Sequence, residues 1–184
     1  RFSTYHESLG KTVGIVGFGS IGRVVAKKAN AFGLKCLAYD PMFTQSSVDL
    51  DGFTVPLLPL DQVLSSSDVI TLHLPFLPET KNLFNAATLD QMKKGACLIN
   101  TARGGIVDEK ALVERLRSGH LGGAAIDVFA QEPIPASHPY LQLKNPEKLR
   151  EALKKQPEIP QEEASAHAVE NGGMDGTNAQ TGKP

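Results

Sequence analysis

Six residues near the start of the chain, Gly17-Phe18-Gly19-Ser20-Ile21-Gly22, carry the spacing GxGxxG. In that spacing each glycine has its own task. Gly17 permits a tight turn, Gly19 lets the backbone approach a pyrophosphate, and Gly22 lets a helix pack closely on a strand. The apolar run Val13-Gly14-Ile15-Val16 precedes the motif and an amphipathic stretch opens at Ser20. The amides of Ser20, Ile21 and Gly22 therefore stand at a helix N-terminus, where unpaired N–H groups attract phosphate. Asp40 ends the next apolar run, close to the spacing of about 20 residues at which such a carboxylate is placed. There it can accept hydrogen bonds from adenosine ribose hydroxyls and would repel a 2′-phosphate, so the pattern predicts NAD rather than NADP. Arg103 stands in a second Gly-rich turn, Thr101-Ala102-Arg103-Gly104-Gly105, after another apolar run. A guanidinium there presents a fork of donors that fits a carboxylate bidentately and can polarise the adjacent carbonyl.

These residues need a scaffold that brings strand ends together. Between residues 11 and 127 short apolar runs alternate with amphipathic stretches, which predicts an α/β fold: a doubly wound parallel sheet of the Rossmann type. Strands are expected at Thr12–Gly17, Lys35–Asp40, Phe53–Val55, Val69–Leu72, Ala96–Asn100 and Gly122–Val128. Helices are expected at Ser20–Phe32, Leu60–Ser65, Ala86–Lys94 and Asp108–Ser118. The first has Val24, Val25, Lys28 and Phe32 at helical spacing and ends at Gly33; the third has Asn85 as N-cap and Gly95 as its stop. The last starts on a capping Asp108, turns Leu112, Val113 and Leu116 inward, and stops at Gly119. Right-handed crossovers place the ligand at the carboxyl ends of the strands.

The domain reading is residues 1–10 as a remnant of a preceding segment, 11–145 as the nucleotide-binding domain, 146–156 as a short helix (Glu147–Lys155), and 157–184 as a disordered tail. Pro133, Pro135 and Pro139 are expected to break any regular element, and the tail is nearly free of large apolar side chains. A net charge of −1 creates no field that favours nucleic acid or an anionic membrane. No apolar run approaches the roughly 18 residues of a membrane span. Cys36 and Cys97 lie in separate apolar runs without a CxxC partner, so buried thiols in a reducing, cytoplasmic compartment are expected, and no metal site. The start at Arg1-Phe2-Ser3 shows no signal peptide and reads as a fragment boundary.

From about Leu9 to Asn145 the chain resembles the NAD-binding domain of the D-isomer-specific 2-hydroxyacid dehydrogenases. These include D-3-phosphoglycerate dehydrogenase and glyoxylate/hydroxypyruvate reductase. Three blocks carry the likeness: Gly10 to Gly22; Ser67 to Pro75 with Pro78-Glu79-Thr80; and Asn100-Thr101-Ala102-Arg103-Gly104-Gly105 through Val107-Asp108-Glu109, Ala124 to Phe129 and Glu132-Pro133. The resemblance implies reversible hydride transfer between NAD(H) and a D-2-hydroxy acid/2-oxo acid pair. It implies that Arg103 grips the substrate carboxylate and that Glu132 orients a catalytic histidine and raises its pKa. It puts Asp127 near the nicotinamide carboxamide, with Pro75, Thr101 and Ala102 lining the cofactor cleft. It also implies a homodimer. The alternative is an NAD(H)-sensing binding module like the C-terminal-binding-protein corepressors.

The family's Thr-Pro-His is absent. The chain instead reads Pro146-Glu147-Lys148-Leu149-Arg150-Glu151, and His167 is the only later histidine. His73 is expected to be a cleft-wall or hydrogen-bonded residue, and His120 and His138 turn residues. The family's substrate domain comes from segments outside the matched stretch, so the chain alone is expected to bind NAD and to turn over slowly or not at all.

Overall fold

The computed structural model describes residues 9–143. The helix expected at Glu147–Lys155, the tail from residue 157 and His167 lie outside them. The elements are β1 (Thr12–Val16), α1 (Ser20–Ala31), β2 (Lys35–Tyr39), β3 (Ser47–Asp49), β4 (Thr54–Pro56), α2 (Leu60–Ser66), β5 (Val69–Leu72), α3 (Ala86–Asp90), β6 (Cys97–Asn100), α4 (Glu109–Ser118) and β7 (Gly123–Ile126), followed by a 3-10 turn at Pro139–Gln142.

Five strands form one parallel sheet in the order β2-β1-β5-β6-β7. Strand β1 is covered on both sides, which is why it reads as an almost continuous apolar run. Val13 and Ile15 pack with Ala26 and Ala29 of α1. A Cβ placed on Gly14 would instead lie 2.7 Å from Val63 of α2 and 2.5 Å from Ser67 Oγ. The two helices thus cover opposite faces. Ile15, Ile70, Leu72 and Leu98 are fully buried, each worth about 1.5–3 kcal/mol of transfer from water.

Helix α1 buries Gly22, Ala26 and Ala29 against the sheet, and of its expected stripe Val25 is partly buried beside them. Val24 is 51% and Phe32 75% exposed, so these two members of the stripe face outward. Helix α4 follows its sequence more closely. Asp108 caps it by accepting from Lys110 and Ala111 N–H, Leu112 and Val113 are buried with Leu116 half-buried, and Gly119 closes it at φ 72°. Asn85 caps α3 by accepting from Thr88 N–H.

Four expectations change. The strand expected at Phe53–Val55 does not join the main sheet. As β4 it pairs antiparallel with β3, and the two-residue turn between them is Asp51-Gly52, at φ 56° and 96°. Two positive φ values in succession are what such a hairpin turn requires. Helix α3 stops at Asp90, short of Lys94; beyond it Lys93 Nζ lies 2.6 Å from Asp68 Oδ1 and Gly95 N–H donates to the His120 carbonyl. The proline-rich segment is not wholly irregular, since Pro139 begins a 3-10 turn whose missing N–H costs no bond at that position. The thiols are free but half-buried: Cys97 lines an open groove on the α1 side of β5 and β6, and burial pushes the Cys36 thiol up.

The register has one consequence for the site. Tyr39, Val16, Leu72, Asn100 and Ile126 are paired across the sheet as a single row. The residues that follow them, Asp40, Gly17, His73, Thr101 and Asp127, therefore leave the sheet along one edge.

Candidate functional site

At that edge the glycine loop is shaped by backbone contacts that exclude side chains. Gly17 has φ 96°, and a Cβ there would lie 2.7 Å from the His73 carbonyl. A Cβ on Gly22 would lie 2.2 Å from the Gly17 carbonyl, so helix and turn touch directly. Above Gly19, by contrast, nothing lies within 4 Å. Gly19 is the N-cap of α1 without a side-chain cap, and the first turn contains no acidic residue. Ser20 and Ile21 are exposed beside it. A closely packed turn, open space over its middle glycine and uncapped amides at a 12-residue helix form a cradle that fits a pyrophosphate.

Asp40 is half-buried directly after β2. Its Oδ2 accepts Phe18 N–H at 2.7 Å and its Oδ1 accepts Met42 N–H at 2.9 Å. The carboxylate is thereby tied to the middle of the glycine loop, and each oxygen keeps a lone pair for a hydroxyl donor. Arg23 lies against Phe18 and Phe43, its guanidinium carbon 6.0 Å and 5.2 Å from their ring centroids.

The second half of the site is organised by Asn100, a residue to which the sequence reading gave no role. It is 1% exposed at the end of β6. Its Oδ1 accepts Ala102 N–H at 3.1 Å, its Nδ2 donates to the Arg103 carbonyl at 3.1 Å, and its own carbonyl accepts Asp127 N–H at 3.0 Å. The buried side-chain amide thus shapes the turn that presents Arg103, while the main-chain carbonyl of the same residue holds Asp127 beside it. A buried polar residue ahead of a Gly-rich turn was the available signal. Thr101, Arg103 and Asp127 are exposed and Ala102 is buried. Arg103 Nη1 donates to the Ala102 carbonyl at 2.7 Å. Gly104 carries a second hidden requirement: a Cβ there would lie 1.8 Å from the Phe129 carbonyl, so the Arg103 turn and the loop after β7 are in backbone contact. Glu132, exposed on that loop ahead of a cis proline, accepts Phe129 N–H at 3.0 Å.

Pro75 is exposed, and its carbonyl accepts the Thr80 hydroxyl at 2.7 Å, which closes the loop leaving β5. His73 Nε2 is 3.0 Å from Thr71 Oγ1, and burial lowers the ring's pKa, which keeps it neutral near pH 7. It is a hydrogen-bonded residue, as expected. His120 Nε2 stands 3.1 Å from the Leu89 carbonyl. His138 is more than a turn residue. It is 4% exposed, caps the 3-10 turn, and reaches Glu109 at 2.9 Å, a pairing across 29 residues that no local pattern reveals. Among the described residues no group of His, Cys, Asp and Glu has the arrangement of a metal site. No described helix is long and apolar enough to cross a membrane.

The comparisons agree with this geometry. Residues 1–146 match the family described as D-isomer specific 2-hydroxyacid dehydrogenase, NAD binding domain. A D-3-phosphoglycerate dehydrogenase from Synechocystis sp. is 54% identical over 127 residues, which is 69% of this chain and 23% of that protein. A glycerate dehydrogenase from Methylorubrum extorquens is 50% identical over 128 residues, 70% of this chain and 38% of that protein. The crystal structure of NAD-dependent formate dehydrogenase from Staphylococcus aureus in complex with NAD superimposes with a TM-score of 0.68 at 47% identity, covering 73% of this chain and 39% of that one. The chain spans less than half the length of each. The matched stretch is thus an NAD-binding domain, and the chain belongs to the D-isomer specific 2-hydroxyacid dehydrogenase family.

Proposed function

We propose that this domain holds NAD(H), in preference to NADP(H), for hydride exchange with a D-2-hydroxy acid/2-oxo acid pair. The observation that carries the reading is the single row of strand ends from which both halves of the site depart, the Gly17–Asp40 half and the Asn100–Asp127 half. The cofactor supplies the hydride chemistry from its nicotinamide C4; the chain supplies position and charge. Gly17, Gly19, Ser20, Ile21 and Gly22 hold the pyrophosphate and Asp40 holds the adenosine ribose. Pro75, Thr101, Ala102 and Asp127 border the nicotinamide half. Arg103 grips the substrate carboxylate, and its charge draws electrons from the adjacent keto group. Glu132 orients a histidine proton donor, which in this reading comes from outside residues 9–143. A carboxylate beside an imidazole favours the imidazolium and so keeps a proton available near neutral pH. We place the domain in a cytoplasmic homodimer.

The test is a transplant. Residues 9–143 replace the matching stretch of the Synechocystis relative, and cofactor oxidation or reduction is followed with D-3-phosphoglycerate or its 2-oxo product. The chimera turns over, and Arg103→Ala within it lowers kcat/KM by about a hundredfold or more, as for loss of one preorganised charge-stabilising donor. A chimera that binds NADH but transfers no hydride contradicts the dehydrogenase reading. It leaves the domain as an NAD(H)-sensing binding module.

A further inference from the structure

Glu109 is the first residue of α4, a place where an acidic side chain ordinarily does no more than complement the helix dipole. Here both of its carboxylate oxygens are engaged on a different segment. Oε1 accepts Ala130 N–H at 3.0 Å, and Oε2 lies 2.9 Å from His138 Nε2. The His138 ring is buried edge-on against Phe129, with centroids 5.8 Å apart, and tilted against Tyr140 at 4.9 Å. Its Nδ1 accepts Tyr140 N–H at 3.4 Å, which leaves the ring proton on Nε2 to donate to Glu109.

This bracket of Glu109 and His138 closes on Phe129, the residue shared by the two candidate chemical groups. Phe129 N–H is the donor to Glu132, at 3.0 Å, and the Phe129 carbonyl is the atom a Cβ on Gly104 would strike at 1.8 Å. Gly104 adjoins Arg103 in sequence. Phe129 is thus held on three sides: Glu132 accepts its N–H, the Arg103 turn lies against its carbonyl, and Glu109 accepts the Ala130 N–H that shares a peptide with that carbonyl. Displacing Phe129 moves the anchor of Glu132 and changes the backing of Arg103.

We propose that Glu109, braced by His138, is a positioning residue that fixes Glu132 and the Arg103 turn relative to one another. The inference rests on the reading above that these two groups face the substrate. Glu109 itself touches neither substrate nor cofactor. Its effect passes through Phe129, by way of the Ala130 N–H and the His138 ring.

The test uses the whole chain, with Glu109→Ala and Glu109→Gln, and reads backbone amides by nuclear magnetic resonance with and without NADH. In Glu109→Ala the Ala130 amide exchanges about tenfold faster or more, the ratio expected when a charge-assisted hydrogen bond is lost. The Phe129 amide accelerates with it, while Ile15 and Leu98 in the sheet keep their protection. Glu109→Gln, which retains an acceptor for one of the two donors, falls between the wild type and the alanine variant. NADH still shifts the Gly19 and Gly22 amides in Glu109→Ala, but its shift at Gly104 and Asp127 falls by half or more. If Ala130 accelerates and Phe129 does not, or if the NADH-induced shift at Gly104 is unchanged, the positioning role is wrong. Should Glu109→Ala lose protection throughout the sheet, the glutamine variant is read at the same two amides and decides the matter. If NADH shifts no amide of the wild type, the cofactor reading fails instead. Coupled or independent exchange at Phe129 and Ala130 then still decides the positioning claim.

Discussion

Asn100 shows how much of this site depends on a residue with no chemistry of its own. Its buried side-chain amide satisfies Ala102 N–H and the Arg103 carbonyl beneath an exposed turn, and its main-chain carbonyl anchors Asp127. Replacing it with alanine orphans a donor and an acceptor together, so Asn100→Ala is expected to cost about 2–3 kcal/mol in urea unfolding. Asn100→Asp keeps the acceptor for Ala102 and is expected to cost less. An alanine variant within about 0.5 kcal/mol of wild type contradicts the role, since that is the range of an ordinary surface change. Gly17, Gly19 and Gly22 were legible in the sequence because glycine leaves a mark by its spacing, and Asp40 because it ends the next apolar run at the customary distance from them. Asn100, whose side-chain partners stand two and three residues on, left a local signal that was missed, whereas Glu109 and His138 left none because their partners are supplied by the fold.

At the scale of elements, the packing of α1 separates two ways of reading an amphipathic helix. The large residues Val24 and Phe32 lie outward, and the residues buried against the sheet are Gly22, Ala26 and Ala29. Ala26→Leu is therefore expected to destabilise by about 1–3 kcal/mol through overpacking. Val24→Ala, on the exposed side, should stay within about 0.5 kcal/mol. Denaturant midpoints of the two variants check this, and the reverse order would mean that the helix is rotated about its axis. Strands β1, β2, β5, β6 and β7 were legible as short apolar runs between breakers, and only their ends moved by a residue or two. The hairpin was misassigned because three residues of β4 carry too short a pattern to say which sheet they join, although Asp51-Gly52 was the signal for a turn. The end of α3 was placed too late; past it Lys93 meets Asp68, a residue brought near by β5.

Over the whole molecule, one sheet edge gathers residues from Gly17 to Glu132 into two half-sites, each knit by backbone bonds that no single segment contains. Hydride transfer needs both halves, but cofactor choice needs only the first, where Asp40 is tied to Phe18 N–H at 2.7 Å. That choice is the central claim, and a fluorescence titration of the chain with NADH and NADPH, wild type beside Asp40→Ala, tests it most directly. Saturable binding that favours NADH, with the preference narrowed in Asp40→Ala, is the expected result. Equal binding of the two dinucleotides by wild type, or no binding by a chain that circular dichroism shows to be folded, would contradict it.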